Sequence, residues 1–302
     1  MHPASSPTPN APAPARGPGP AASPRPAELG PDAGVVSVGG GNMARAIIEG
    51  ALGAGLLPPD RWLVADPDPA RRADFGALGV AAAGSAADAA RRAPTPWALL
   101  LAVKPQVLGT VAAELRDAGL AEGRTVVSIL AGVTIDRLAS ALPESAGVVR
   151  VMPNTPAAVG RGAAGVALGP GVPPEHRRLA LGLFRSVGAV YELDEGRIDA
   201  FTAAAGSGPA YAFLLAEAMA RSLEEQMGCD APTARSIVAH TIAGAGELLL
   251  RSAEDPAELR RRVTSKGGAT AEAIRVFEQR GLLEIVGEAM RACERRAREL
   301  AG

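Results

Sequence analysis

Cysteine, an excess charge of either sign and long hydrophobic runs are what this sequence lacks. Its 302 residues include only two cysteines, Cys229 and Cys293. They lie far apart in helix-like sequence without the spacing of a metal site, so no metal is expected, and a reducing, cytoplasmic setting fits them best. The 31 Lys and Arg almost cancel the 32 Asp and Glu, leaving a net charge of −1. No strong field is present to draw nucleic acid or an anionic membrane. The longest apolar runs, such as Ala98 to Val103, fall far short of the roughly 20 residues that span a bilayer. With those partners excluded, work on a small molecule is the expectation.

The length allows two domains, each with its own apolar core. Residues 1–33 form a Pro/Ala tract without helical or strand periodicity, expected to be a disordered tail. It has neither the basic and apolar regions of a secretory signal nor the Arg and Ser content of a transit peptide. Its composition also suits a Pro-rich docking tail.

From Gly34 to Leu193, short apolar runs alternate with Ala-rich segments, the pattern of parallel strands linked by helices. Strands are expected at Val35–Gly39, Trp62–Asp66, Leu99–Val103, Thr125–Ile129, Val148–Met152, Gly165–Leu168 and Ala189–Glu192. Helices are expected at Ala44–Gly53, Pro69–Leu78, Ala86–Arg92, Val107–Ala118 and Ile135–Ala141. After Asp194 the strand-like runs stop and amphipathic segments take over: Arg197–Met227, Pro232–Ser252, Ala257–Val263, Ala269–Gln279 and Leu282–Leu300. The fold class is therefore α/β, a Rossmann-type dinucleotide-binding domain over 34–193 followed by an all-helical domain over 194–302. The segment Gly208–Met227 puts Ala210, Leu214, Leu215, Ala218 and Leu223 on one broad face. Such a face is buried either within the chain or against a second copy, and a homodimer is expected.

The run VVSVGGGNMA, Val35 to Ala44, has the spacing G-x-G-x-x-G/A. Gly39 makes the turn, Gly41 admits a diphosphate, and Ala44 packs helix on strand. With 36 glycines in the chain, roughly one such match is expected by chance. Context decides: a strand precedes it and a helix follows, so the first amides of that helix can bind the diphosphate without a lysine. Asp66 ends the next strand, where a carboxylate usually bonds the adenosine ribose 2′-hydroxyl and favours NAD over NADP. Arg71 and Arg72, one turn on, could instead hold a 2′-phosphate, and a solvated capping turn is a third possibility.

LLLAVKPQ puts Lys104 and Pro105 at the carboxyl end of a buried strand, where open α/β sheets bind ligands. RVMPNTPAAVG ends a second strand in the same region, with prolines shaping the turn around Asn154 and Thr155. In the helical half, AAGSGPAYAF opens a helix with Ser207 as candidate cap. VTSKGGATAEAI opens another, with Gly267 and Gly268 ahead of Thr270. That loop reads equally as a carboxylate site or a plain helix connection.

Taken together, VGGGNMARAI, LAVKP, VMPNTPA, GSGPAY and VTSKGGAT, in this order and spacing, resemble the pyrroline-5-carboxylate reductase family from about Gly34 to Leu300. The resemblance implies an NAD(P)H-dependent oxidoreductase of the CH–NH group that completes proline synthesis. It implies a Rossmann domain followed by a helical dimerisation domain, with the active site where dimer helices meet the nicotinamide. It puts cofactor contacts on Gly39, Gly41, Asn42 and Met43, on Ala102, Val103, Lys104 and Pro105, and on Ala131. Substrate contacts fall on Ser265, Gly267, Gly268, Ala269 and Thr270, with Thr270 at the reacting nitrogen. There are departures: Ala205 stands where relatives often have a second serine, and Lys266 replaces the commoner proline. Asp66 occupies a position that is often serine or threonine in NADPH-preferring relatives, so the cofactor is NADP or NAD.

No histidine or carboxylate accompanies the signature loop, so the proton on the ring nitrogen is expected from solvent, and the protein contributes mainly orientation. Two rival functions remain at this level. A β-hydroxyacid dehydrogenase or ketopantoate reductase of the same layout needs a lysine acid on the second domain's helix, yet beyond Lys104 only Lys266 occurs. A non-catalytic redox-sensing dimer would not need Ser265 or Thr270, and both are present.

Overall fold

The computed structural model describes Leu29, residues 33–93 and residues 98–301. The tract expected to be disordered lies outside the described residues apart from Leu29 and Ala33. Those two are buried in one apolar cluster with Val35, Ile47 and Phe75, so the core takes in residues that composition alone would leave in the tail.

Eight strands form one sheet: β1 (Val35–Val38), β2 (Trp62–Ala65), β3 (Ala81–Ala83), β4 (Ala98–Leu101), β5 (Thr125–Ser128), β6 (Gly147–Met152), β7 (Gly162–Leu168) and β8 (Gly188–Glu192). Their spatial order is β3-β2-β1-β4-β5-β6-β7-β8. Helices α1 (Asn42–Gly53), α2 (Pro69–Gly76), α3 (Ala86–Arg92), α4 (Leu108–Asp117), α5 (Ile135–Ala141) and α6 (Pro174–Arg185) connect them. Alternate residues of the central strands feed two cores. Val35, Leu100, Val127 and Val149 belong to one, and Val36, Leu99, Val126 and Val148 to the other. That double burial is why these strands read as continuous apolar runs.

Three features differ from the expected pattern. The strand β7 runs antiparallel to β6, pairing Val149 with Leu168 and Met152 with Gly165. The link from Met152 to Gly162 is too short for a parallel crossover, which takes about a dozen residues or more. The strand β3 is three alanines, with no β-branched residue to announce it. Helix α6, over PEHRRLALGLFR, opens with Pro174 in its first turn and buries Leu179, Leu183 and Phe184.

The helical half begins with α7 (Ile198–Phe201), which runs into a single π-helical turn, Thr202–Gly206. There the Ser207 amide donates to the Thr202 carbonyl at 2.8 Å. Then follow α8 (Gly208–Met227), α9 (Ala231–Arg251), α10 (Pro256–Arg262), α11 (Ala269–Gln279) and α12 (Leu282–Ala301). Ser207 makes no side-chain cap on α8, contrary to expectation; its hydroxyl lies 3.2 Å from the Cys293 Sγ of α12.

Polar ties hold the halves together. Arg150 of β6, only 4% exposed, donates to Glu195 at 3.2 Å and Asp199 at 3.1 Å. Glu195 also accepts the Ile135 amide at 2.7 Å. Among the described residues no helix is long and apolar enough to cross a membrane.

Candidate active site

The carboxyl ends of β1, β2, β4 and β5 lie side by side and bring the glycine turn, Asp66, the AVKP segment and the LAGV turn to one edge. The Gly39 amide donates to the Ala65 carbonyl at 2.8 Å, Ala102 to Val38 at 2.8 Å, and Ile129 to Leu101 at 3.1 Å. Gly39 has φ of 99°, and a Cβ there would stand 2.6 Å from the Ala102 carbonyl oxygen. The turn and the AVKP segment are therefore in contact, and only glycine fits both the dihedral and the gap.

Gly41 precedes the first residue of α1 and no side chain caps that helix. A Cβ on Gly41 would meet nothing within 4 Å. Bare backbone thus faces open space at a helix N-terminus, with the first-turn amides of Asn42 and Met43 directed outward. These residues fit a dinucleotide diphosphate: the cradle is one that a side chain would fill. Behind it Ala44 is buried, as helix-on-strand packing requires.

Asp66 is 3% exposed. Its Oδ2 accepts the Gly40 amide at 2.7 Å and its Oδ1 the Asp68 amide at 2.9 Å. Lys104 is exposed at the start of a short 3₁₀ turn, Pro105–Val107, while Ala102, Val103 and Pro105 are half-buried. Ala131 is exposed beside Gly132, where an added Cβ would lie 3.2 Å from Leu300 Cβ. The end of α12 therefore covers part of this turn.

Asn154 is already occupied. Its Nδ2 donates to the Ala205 carbonyl at 3.0 Å and its Oδ1 accepts the Ala163 amide at 2.8 Å. It ties the β6–β7 link to the π-turn.

The VTSKGGAT loop is built differently. Gly267 has φ of 73°, and a Cβ on Gly268 would come within 2.4 Å of the Ser265 hydroxyl. Gly268 caps α11 with extended dihedrals and no side-chain bond, so the amides of Ala269 and Thr270 are open to an anion. Ser265, Ala269 and Thr270 are exposed. Among the described residues no hydrogen bond or ion pair joins residues 263–270 to the sheet; the Gly268 amide stays within the loop, on the Ser265 carbonyl at 3.0 Å. A cavity of about 630 Å³ between α10 and α11 is lined by Asp255, Glu258, Arg260, Thr264, Ala271 and Ile274, and by none of the expected substrate residues.

The structure adds neighbours that motif reading missed. Tyr211, of the GSGPAY segment, has a buried hydroxyl close to Cys293 and Ser207, and burial pushes its phenol pKa up, with Cys293 adding to the effect. Apolar side chains that a single chain leaves open are concentrated in this half: Phe213, Leu214, Leu248, Leu250, Val263 and Leu283 are all exposed.

Residues 195–300 match the family model described as pyrroline-5-carboxylate reductase dimerisation. Residues 34–132 match that of NADP oxidoreductase coenzyme F420-dependent. The chain is 40% identical over 266 residues to a pyrroline-5-carboxylate reductase of Pasteurella multocida, covering 87% of this chain and 96% of the relative. It is 39% identical over 263 residues to that of Synechocystis, covering 87% and 96%. Among solved structures, a pyrroline-5-carboxylate reductase from Coxiella burnetii superposes with a TM-score of 0.81 at 33% identity, over 90% of this chain and 99% of that one. With such identity along almost the whole length of these relatives, and with both the glycine turn and the signature loop in place, the chain belongs to the pyrroline-5-carboxylate reductase family.

Proposed function

We propose that this protein reduces 1-pyrroline-5-carboxylate to proline with NADPH or NADH, as a homodimer. The observation that carries the proposal is the pairing, on one chain, of a bare diphosphate cradle at Gly41 with a second bare helix N-terminus at Gly268. The first suits a dinucleotide and the second a small carboxylate. Residues 34–193 serve as the cofactor domain, and 194–302 as the dimerisation and substrate domain. The two free cysteines support a cytoplasmic location.

When bound, the reduced nicotinamide supplies a hydride from its C4 to the C=N carbon. The rest falls to this chain's residues. Gly39, Gly41, Asn42 and Met43 would hold the diphosphate, and Ala102 to Pro105 and Ala131, at the neighbouring strand ends, would contact the rest of the cofactor. The open amides of Ala269 and Thr270, at the Gly267–Gly268 turn, and the Ser265 hydroxyl hold the substrate carboxylate. Thr270 Oγ1 accepts the N–H of the protonated imine and so fixes the face of the ring. That proton arrives from solvent with the iminium, and one hydride and one proton complete the amine. The protein's contribution is placement, by which oriented groups can supply much of a rate enhancement.

Oxidation of NADPH or NADH by the purified dimer, followed by nicotinamide absorbance with pyrroline-5-carboxylate against a β-keto acid, tests this reading. Turnover with the imine alone is expected. Turnover with the keto acid alone would overturn it, although α8 carries no lysine to serve as the acid such a reaction needs.

A further inference from the structure

We infer that this chain selects the dinucleotide without a 2′-phosphate, NADH over NADPH, and that Asp66 is the residue that discriminates. The inference rests on the dinucleotide reading of the glycine turn given above.

The carboxylate of Asp66 is not a surface charge that can turn aside. It is buried at the end of β2, and each oxygen already accepts one backbone amide: Oδ2 that of Gly40 at 2.7 Å, Oδ1 that of Asp68 at 2.9 Å. Gly40 lies inside the phosphate turn, and a Cβ there would meet Phe75 Cε2 at 2.8 Å and Asp66 Oδ2 at 3.4 Å. The carboxylate is thereby fixed against the floor of the diphosphate cradle, on the side toward which the adenosine ribose extends in this fold. Oδ2 also takes a longer bond from Arg71 Nη1 at 3.4 Å, and the lone pair left on Oδ1 can accept only from a donor. A ribose 2′-hydroxyl is such a donor. A 2′-phosphate brings negative charge and oxygens that cannot donate in its dianionic form.

The nearby cations do not reverse this. Arg72 Nη1 is committed to two backbone carbonyls, Asp66 O at 2.9 Å and Pro67 O at 2.8 Å. Arg71 lies between two carboxylates, Nη1 at 3.4 Å from Asp66 and Nε at 3.7 Å from Asp68. Holding a 2′-phosphate would take Arg71 from both acids and leave the phosphate beside a carboxylate that cannot withdraw. Serine or threonine at this position would remove that repulsion.

The test is equilibrium binding of NADH and NADPH to the full dimer without imine, read by nicotinamide fluorescence, with kcat/KM for both cofactors alongside. NADH should bind roughly ten- to a hundredfold tighter than NADPH, the range expected for one gained or opposed polar contact. Asp66→Ser should close or reverse the ratio by weakening NADH and strengthening NADPH, and Arg71→Ala should widen it. Tighter binding of NADPH by wild type would overturn the inference, as would an unchanged ratio in Asp66→Ser or a narrowed one in Arg71→Ala. The wild-type ratio needs no variant, so misfolding of Asp66→Ser leaves the question decidable. Failure to turn over the imine with a binding ratio still favouring NADH would overturn the proposed reaction and leave this inference standing.

Discussion

Gly39 and Gly41 stand two residues apart in one turn, yet a side chain has different consequences at each. At Gly39 the positive φ and the 2.6 Å approach to Ala102 O make any side chain a structural defect. At Gly41 the Cβ meets only open space, so Gly41→Val should fold normally while its methyl groups occupy the diphosphate's place. Fluorescence titration should show lost dinucleotide binding with an unchanged thermal midpoint. Thr270→Ala removes one hydrogen bond at the substrate nitrogen, a loss of about 1–3 kcal/mol or roughly ten- to a hundredfold in kcat/KM; wild-type kinetics would contradict the role given to that hydroxyl. A pH effect belongs to His176, whose Nδ1 stands 2.5 Å from the buried Thr125 hydroxyl and whose pKa burial lowers. Because the unfolded chain takes up that proton first, the stability due to neutral His176 is intact above about pH 6.5 and declines as pH falls below it. The thermal midpoint should drop between about pH 7.5 and about pH 5.5, and His176→Gln should reduce the drop. None of this was legible at His176 from sequence, because His176 lies in α6 while Thr125 is distant in the chain and belongs to a strand, β5. Gly39 and Gly41 were legible, since local spacing sets their geometry.

One connection between sheet and helical half runs through Arg150, which a strand pattern presents only as an odd charge inside an apolar run. Its partners Glu195 and Asp199 sit more than forty residues on, a separation that periodicity cannot bridge. Replacing Arg150 with leucine would leave two acids facing a buried apolar group. Glu195 keeps some contact with water, so a loss near the lower end of the range for a broken buried pair, about 3 kcal/mol, is expected. Urea unfolding should show it, and Arg150→Leu combined with Glu195→Gln and Asp199→Asn should recover most of the loss. Recovery separates the removal of unpaired charge from the removal of packing. The elements themselves divide in the same way. Strands covered on both faces and helices with side-chain caps, such as α3 with Ser85 and α5 with Thr134, announced themselves. The strand of three alanines did not, nor did the antiparallel turn of β7, which depends on the length of a link rather than on its residues. At α8 the cap signal misled, because Ser207 continues a helix through the π-turn and its hydroxyl is directed at Cys293 instead.

A single chain has both bare helix ends but, among the described residues, no bond between the substrate loop and the sheet, and its helices leave Phe213 at 69% and Leu250 at 73% exposure. Both facts follow if the loop of one protomer completes the cofactor edge of its partner, since closing the dimer would cover the apolar faces in the same step. Shared sites have a consequence that neither protomer shows alone. In a hybrid of Gly41→Val and Thr270→Ala protomers, one site receives both defects and the other receives neither. Random reassociation of equal amounts makes about half the dimers hybrid, each with one intact site, so about a quarter of wild-type activity should return. Two weak parents would thus yield a mixture more active than either, over the residual rate of the Thr270→Ala parent. Mixing followed by activity assay, with sedimentation to confirm that protomers exchange, decides the matter. If turn and loop of the same chain worked together, every site in the mixture would still carry one lesion and the activity would be the mean of the parents.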